Sequence, residues 1–355
     1  MSDYPFLSRE FLSALEETGC TTAATGWQAR HLGGGRRPFM PLYVKTHSYG
    51  EYVFDWAWAD AYHRAGLAYY PKLVTAIPFS PITGPRLRPP AEQLDGKAAE
   101  ALFAELRDIA ADTGASSWHL LFPDTATRRL FRGLGLLERS GVQFHWFNRG
   151  YRDFDDFLAA CNARKRKMVR RERRRIAEQG LRVEMREGTE IDTRLWAFFF
   201  RLYQLTYLKR SGMEGYLTEA FFERLGTTLA DRLAMAVAYV DGEAVAAALY
   251  LHDAGSLYGR YWGCLREYEC LHFELCYYQG IEYAIRRGLD RFDAGAQGEH
   301  KIPRGFEPVE TWSLHWIRHP EFAVAIADFV ARERAYNLRY LEEARSLLPF
   351  RTGGD

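Results

Sequence analysis

The chain has 355 residues, 47% of them hydrophobic and 26% charged, with a formal net charge of +1. That profile belongs to a globular chain long enough for two domains, and it excludes a global pull toward polyanions. No apolar run approaches the length of a membrane span, the opening Met-Ser-Asp-Tyr-Pro is not a secretory signal, and five scattered cysteines predict reduced thiols in a cytoplasm.

In chain order, residues 6–18 read as a short helix with Ser8 as N-cap, and a glycine turn at 33–35 leads to a strand at 40–45. The run His47-Ser48-Tyr49-Gly50-Glu51 is a loop or bulge before an aromatic-rich helix at 52–66. A β-branched stretch at 73–79 predicts a strand, stopped by Ser80-Pro81-Ile82-Thr83-Gly84-Pro85. A helix at 92–113, a strand at 118–122, a helix at 125–134 and a strand at 142–148 close the first half. The second half opens with one long helix at 154–179 and a strand at 181–185, then helices at 194–209 and 218–229. Strands at 235–240, 244–252 and 256–263 follow, and Asp241-Gly242 between two apolar runs is a strong hairpin signal. A helix at 274–287 ends on Gly288, a strand occupies 290–293, and Pro320 precedes a terminal helix at 321–348. Strands alternating with helices predict an α/β (α+β) fold. The order strand, loop, helix, strand occurs twice, around 73–122 and 257–293, which predicts two structural copies. The expected domains are 1–150, 151–319 and a terminal helix and tail at 320–355.

The local charge is uneven. From Arg164 to Arg175 the chain carries nine basic residues against one acid, Glu172. On a helix, Phe154, Phe157, Leu158, Cys161, Met168, Val169 and Ile176 share one stripe, with Lys165 and Glu172 placed to pair on it. Arg166, Lys167, Arg170, Arg171, Arg173 and Arg174 cover the other side, a pattern suited to the phosphates of a large cofactor or an RNA backbone. Cys264, Cys270, His272 and Cys276 lie close in sequence, but their spacing is not a usual zinc pattern, and no metal is expected.

The stretch 295–306, Gly-Ala-Gln-Gly-Glu-His-Lys-Ile-Pro-Arg-Gly-Phe, leaves a short apolar strand and gathers Gln297, Glu299, His300, Lys301 and Arg304 into one glycine-punctuated loop. Loops at strand ends are where rigid scaffolds present chemistry.

The Arg-rich helix ending in Glu178-Gln179-Gly180, the Tyr261-Trp262-Gly263 segment and Arg291-Phe292-Asp293-Ala294-Gly295 resemble the second half of FemAB-type aminoacyltransferases. With His47-Ser48-Tyr49-Gly50-Glu51 and Pro81-Ile82-Thr83-Gly84-Pro85-Arg86-Leu87, nearly the whole chain is similar to the FemAB-like predicted N-acyltransferases. The resemblance implies two tandem GNAT-like domains, each a mixed central sheet flanked by helices, and acyl or aminoacyl transfer to an amine (EC 2.3 class). FemAB enzymes proper take amino acids from aminoacyl-tRNA to a peptidoglycan precursor. The pyrophosphate loop of ordinary GNAT enzymes is not recognisable, and Thr83-Gly84-Pro85-Arg86 occupies its place in the first copy. The donor therefore stands open between acyl-CoA and aminoacyl-tRNA as co-substrate, with no tightly bound cofactor, and the acceptor is a small-molecule or peptide amine.

Such a reaction needs a neutral amine, alignment and a donor for the oxyanion. Glu299 or His300 is the candidate base, with His272 and Tyr261 as further catalytic candidates and backbone N–H groups of a strand splayed after Tyr261 polarising the carbonyl. Lys301, Arg304, Gln297, Arg170, Arg174 and Lys167 are expected to hold the donor. His47, Tyr49, Glu51, Asp55, Arg86 and Glu274 are expected to bind substrate, those of the first half lining an acceptor pocket at the junction of the halves. The competing reading is a non-catalytic RNA- or nucleotide-binding module built on the basic helix at 164–175.

Overall fold

A computed structural model describes residues 3–296 and 298–351. Its strands are β1 (Trp27–Ala29), β2 (Leu32–Gly34), β3 (Arg37–Met40), β4 (Tyr43–Lys45), β5 (Lys72–Thr75), β6 (Ser117–Leu121), β7 (Leu137–Phe147), β8 (Arg182–Glu187), β9 (Leu233–Val240), β10 (Glu243–His252), β11 (Ser256–Cys264), β12 (Arg291–Asp293) and β13 (Glu307–Ile317). The helices are α1 (Arg9–Glu17), α2 (Trp56–Arg64), α3 (Gly96–Thr113), α4 (Thr125–Phe131), α5 (Phe154–Ala160), α6 (Ala163–Glu178), α7 (Thr193–Ser211), α8 (Glu219–Thr228), α9 (Leu271–Phe273), α10 (Gln279–Arg286) and α11 (Pro320–Ser346). A π turn (Glu274–Tyr278) joins α9 to α10. Two compact units result, Met1–Val142 with Glu310–Tyr340, and Gln143–Val309 with Leu341–Asp355. The terminal helix thus belongs mostly to the first unit.

The first unit has the sheet order β1-β4-β5-β6-β13. Strands β5 and β6 run parallel, with Leu73 opposite Trp118, and the crossover between them contains α3. Asp95 caps α3 by accepting from Ala98 N, and Gly114 closes it in the left-handed region. The helix buries Ala99, Leu102, Leu106 and Ala110 against Leu73, Trp118, Leu120 and Phe131. Each large side chain so buried contributes about 1.5–3 kcal/mol. Strand β13 was not expected from the sequence. Its inward positions include Thr311, Ser313 and His315, all buried and polar, so the apolar alternation that marks a half-buried strand is missing.

The second unit has the order β7-β12-β11-β10-β9-β8, with β11 and β12 parallel and the other neighbours antiparallel where their registers are defined. Asp241 (φ 50°) and Gly242 (φ 84°) make the expected two-residue hairpin between β9 and β10, both in the positive-φ region such a turn requires. The long helix expected at 154–179 is broken. Cys161 is extended and bridges to Phe350, and Asn162 caps α6 by accepting from Lys165 N at 3.0 Å. An Asn side chain satisfies an N-terminal donor better than it serves a helix interior, which puts the start of α6 there. No helix among the described residues is long and apolar enough to cross a membrane.

Candidate active site

Strands β11 and β12 pair only from Ser256↔Arg291 to Tyr258↔Asp293. There β12 ends, while β11 runs on to Cys264, so the two part company after Tyr258 and not, as expected, after Tyr261. Register shifts in the β10–β11 ladder between Leu249↔Tyr261 and Tyr250↔Gly259, which makes Arg260 the bulged residue. Bulges re-aim side chains. The Arg260 guanidinium turns inward and donates to Asp293 at 3.0 Å and to Gly259 O at 2.9 Å. Asp293 also accepts from Gly295 N at 2.9 Å and lies 3.7 Å from His145. Burial alone would raise Asp293, but Arg260, His145 and the Gly295 N–H hold it well below the carboxylate range. His145 is kept neutral by burial, which takes it down to about 4.

From this strand end the chain enters a 3₁₀ turn, Glu299–Arg304. Lys301 is buried and its ammonium donates to Gly295 O. Burial lowers it to about 8, against the opposing pull of Asp293. Gly298, at φ 114°, precedes the turn; a Cβ there would lie 2.2 Å from the His300 ring, so only glycine lets that ring fold back. His300 Nε2 meets Tyr277 Oη at 2.7 Å, and burial with Lys301 and Arg304 depresses its basicity, so the imidazole is neutral at pH 7. Glu299 is exposed on the same turn. His272 stands 5.8 Å from His300 and 4.7 Å from Trp262, ring to ring, and burial takes it down to about 3. It is an aromatic wall that does not protonate in the neutral range.

Arg304 was expected to hold the donor, yet its contacts are internal. It is buried, donates to Glu172 (3.2 and 2.7 Å), to Tyr278 Oη (2.9 Å) and to His300 O (2.6 Å), and lies 3.4 Å from the Phe273 ring centroid. An arginine so saturated has little left for a phosphate. Glu274 is likewise consumed, accepting from Arg173 at 3.2 and 3.0 Å and from Gln279 at 2.8 Å. The π turn, a device frequent at functional sites, directs the consecutive hydroxyls of Tyr277 and Tyr278 to His300 and Glu172.

On α6, Glu172 pairs with Arg304 rather than with Lys165. Arg173, expected on the basic face, is turned inward to Glu274 and Glu282. Arg170 faces Asp155 at 3.2 Å, and Arg175 faces Glu178 and Glu269. Among the described residues, Arg164, Lys167, Arg171 and Arg174 project into solvent with no carboxylate within 4.0 Å.

The first-unit candidates form a different cluster. Lys72, fully buried, donates to Ser48 (2.7 Å), Glu51 (2.8 Å) and Asp55. Asp55 also accepts from Tyr69, whose hydroxyl touches His119, and His119 meets His315 at 2.6 Å. Lys45 lies 3.8 Å over the Trp27 ring, and burial lowers it to about 7. Burial also raises Glu51 to about 7. Of the expected ligands here, Tyr49 is exposed and His47 half-buried, with His47 bonded to Thr25 O and Tyr49 N. Arg86, also an expected ligand, is instead a main-chain staple, fully buried and donating to Leu121 O, Gly84 O, Pro85 O and Ile82 O.

Tyr261 packs on Tyr203 and Phe222, on the opposite face of β11 from Trp262, which is the residue that faces His272. Gln297 lies outside the described residues. Sequence reasoning missed Asp293, Arg260, Tyr277 and the partner of Glu172. Period-two alternation along β11 could have separated Trp262 from Tyr261; nothing local signals the bulge at Arg260.

Solved structures with this fold include FemX (13% identity, TM-score 0.54, covering 90% of this chain and 93% of that one). L-PGS from Bacillus licheniformis aligns at 12% identity with a TM-score of 0.53, covering 90% of this chain and 95% of that one. The C-terminal domain of a putative lysylphosphatidylglycerol synthetase from Agrobacterium fabrum gives 11% and 0.54, covering 89% and 96%. At these identities the likeness defines a class of fold alone, a mixed sheet flanked by helices. The chain belongs to the FemAB-like family, described as peptidoglycan biosynthesis/recognition, whose model matches residues 1–352. No curated protein matches the sequence. Family and fold together support a transferase role.

Proposed function

We propose that the chain transfers an aminoacyl group from aminoacyl-tRNA to an amine on a peptidoglycan-precursor peptide, with the chemistry at the loop after β12. The observation that carries the reading is the pairing of a buried lysine of lowered basicity with a neutral, rim-placed histidine where β11 and β12 diverge.

The choice of donor rests on charge. A CoA pyrophosphate would need the N-terminus of the helix that follows β11. That turn has no glycine and carries Glu267 and Glu269, both exposed. Without glycine that turn does not bring its main-chain N–H groups close to a pyrophosphate, and its carboxylates are engaged by Lys209 and Arg175; the exposed arginines of α6 suit an RNA backbone. In the reaction, His300 takes a proton from the acceptor ammonium, and the freed amine attacks the ester carbonyl. The Lys301 ammonium and main-chain N–H groups where β11 and β12 diverge stabilise the oxyanion. As the tetrahedral species collapses, the C–N bond stays and the ester C–O bond breaks; the ribose oxygen leaves with the proton His300 took up, and the nitrogen gives its remaining extra proton to solvent. Glu299 and the half-buried His272 line the approach.

The test is transfer of a radiolabelled aminoacyl group to a precursor peptide carrying a free amine, with aminoacyl-tRNA and acyl-CoA offered separately. Product only from the RNA donor supports the reading. Product only from the thioester would move the assignment to acyl-CoA transfer, and salt-dependent RNA binding without product would favour the non-catalytic module.

A further inference from the structure

Glu172 is the one acid among nine basic residues, and it is buried. Taking a carboxylate out of water costs several kcal/mol unless it is paired in good geometry. Here the pairing is two-pronged, through Arg304 Nε and Nη2, with the Tyr278 hydroxyl donating as well. Arg304 then holds the carbonyl of His300 at 2.6 Å. The chain of contacts runs from the interior of α6 straight to the main chain of the candidate base. The next residue, Arg173, makes a pair of opposite polarity, to Glu274 at the start of the π turn and to Glu282 on α10. An acid-to-base pair beside a base-to-acid pair fixes register, because a slip would set like charges together.

We infer that Glu172 is a positioning residue: through Arg304 it fixes the turn carrying His300 and Lys301, so the helix that receives the donor also sets the loop that performs transfer. The inference rests on the transferase reading for its function, and on geometry alone for the coupling. Its logic is that α6 carries two faces. Lys167, Arg171 and Arg174 point to solvent, while Glu172 and Arg173 reach the loop and the π turn, so movement of the helix under an RNA is felt at His300.

The test uses the full chain with Glu172→Gln, which keeps shape and removes charge, and Tyr278→Phe, which removes only the bridging hydroxyl. Three readouts are taken: single-turnover rate at saturating aminoacyl-tRNA, donor Kd by filter binding, and the imidazole titration of His300 by NMR, assigned with His300→Gln. A displacement on the order of 1 Å costs about 100-fold in rate. Glu172→Gln is therefore expected to lose about 10- to 100-fold in rate with Kd changed less than about threefold, and Tyr278→Phe to lose less. In both, the His300 titration moves up toward 6.5 as the ring is released to solvent. Wild-type rate and wild-type His300 titration in folded Glu172→Gln would overturn the inference, as would a parallel loss of rate and affinity. If Glu172→Gln does not fold, an unmoved His300 titration in Tyr278→Phe overturns it. If wild-type protein transfers nothing yet His300 still shifts in the variants, the transferase reading fails and the coupling stands.

Discussion

Lys72 and Lys301 are both buried lysines beside a parallel strand pair, one in each unit, and they are handled in opposite ways. Burial would lower Lys72, but Glu51 and Asp55 more than offset it, and the ammonium is held charged by three side-chain acceptors. Lys301 has Asp293 as an electrostatic neighbour, but donates to a main-chain carbonyl, and burial wins, leaving it near 8. A lysine closed by two carboxylates is scaffold. A lysine left half-compensated at a strand end, next to a neutral imidazole on an exposed turn, fits the proposed role of an ammonium that meets developing negative charge.

The sharpest way to break this contrast is to remove each lysine. Lys72→Met strands two buried carboxylates and is expected to cost about 3–5 kcal/mol of stability, read as a large fall in Tm. Lys301→Met is expected to lower turnover by about 10²–10³ while Tm falls far less. Equal losses of Tm in the two variants would erase the distinction. His300→Gln comes next, with a loss of about 10² in rate. The wild-type rate should rise with pH through a midpoint below 6.5, as His300 loses its proton, and fall above about 8, as Lys301 does. His300→Gln should abolish the acid limb only, and Lys301→Arg should move the alkaline limb upward. A pH-rate profile with no acid limb below 6.5 and no alkaline limb near 8 contradicts both roles.

Stability should also depend on pH with a definite sign. His119 (about 3), His145 (about 4) and His272 (about 3) are depressed by burial below their unfolded value near 6.5. The folded state therefore binds fewer protons between 6.5 and 4, and stability is complete above 6.5 and lost as pH falls through that window. Thermal melts at pH 7 and pH 4.5 would show it, and His119→Asn should flatten the dependence. The smallest effect expected is on the basic face. Replacing Lys167, Arg171 and Arg174 with Ala should reduce the log–log salt slope of RNA binding by about 2 to 3.

Much of the scaffold was legible in the sequence because its signals are local. Ser8 caps α1, Asp241-Gly242 turns the hairpin, and Gly288 ends α10, each through chemistry confined to a few residues. The doubled order of strand, loop, helix and strand was readable from the apolar runs, and each copy contains a parallel pair. Strand β13 was hidden because Ser313 and His315 face inward to bond each other, which no hydropathy pattern reveals. At the site, the loop at 295–306 stood out by composition, but the assignments within it did not follow from composition. Arg304 looked like a phosphate ligand until Glu172, 132 residues earlier, took it up. Arg86 and Glu274 likewise look like ligands in sequence and are spent on internal bonds. Long-range partners decide whether a charge is available, and one sequence does not list them.

The most direct test of the whole account is a rapid-quench comparison of wild-type protein and Lys301→Met, both saturated with labelled aminoacyl-tRNA and an amine-bearing precursor peptide. The account predicts peptide-bound label from the wild type, RNase-sensitive and slowed about 10²–10³-fold in the variant with donor affinity kept. Label transferred at the same rate by both proteins would contradict it.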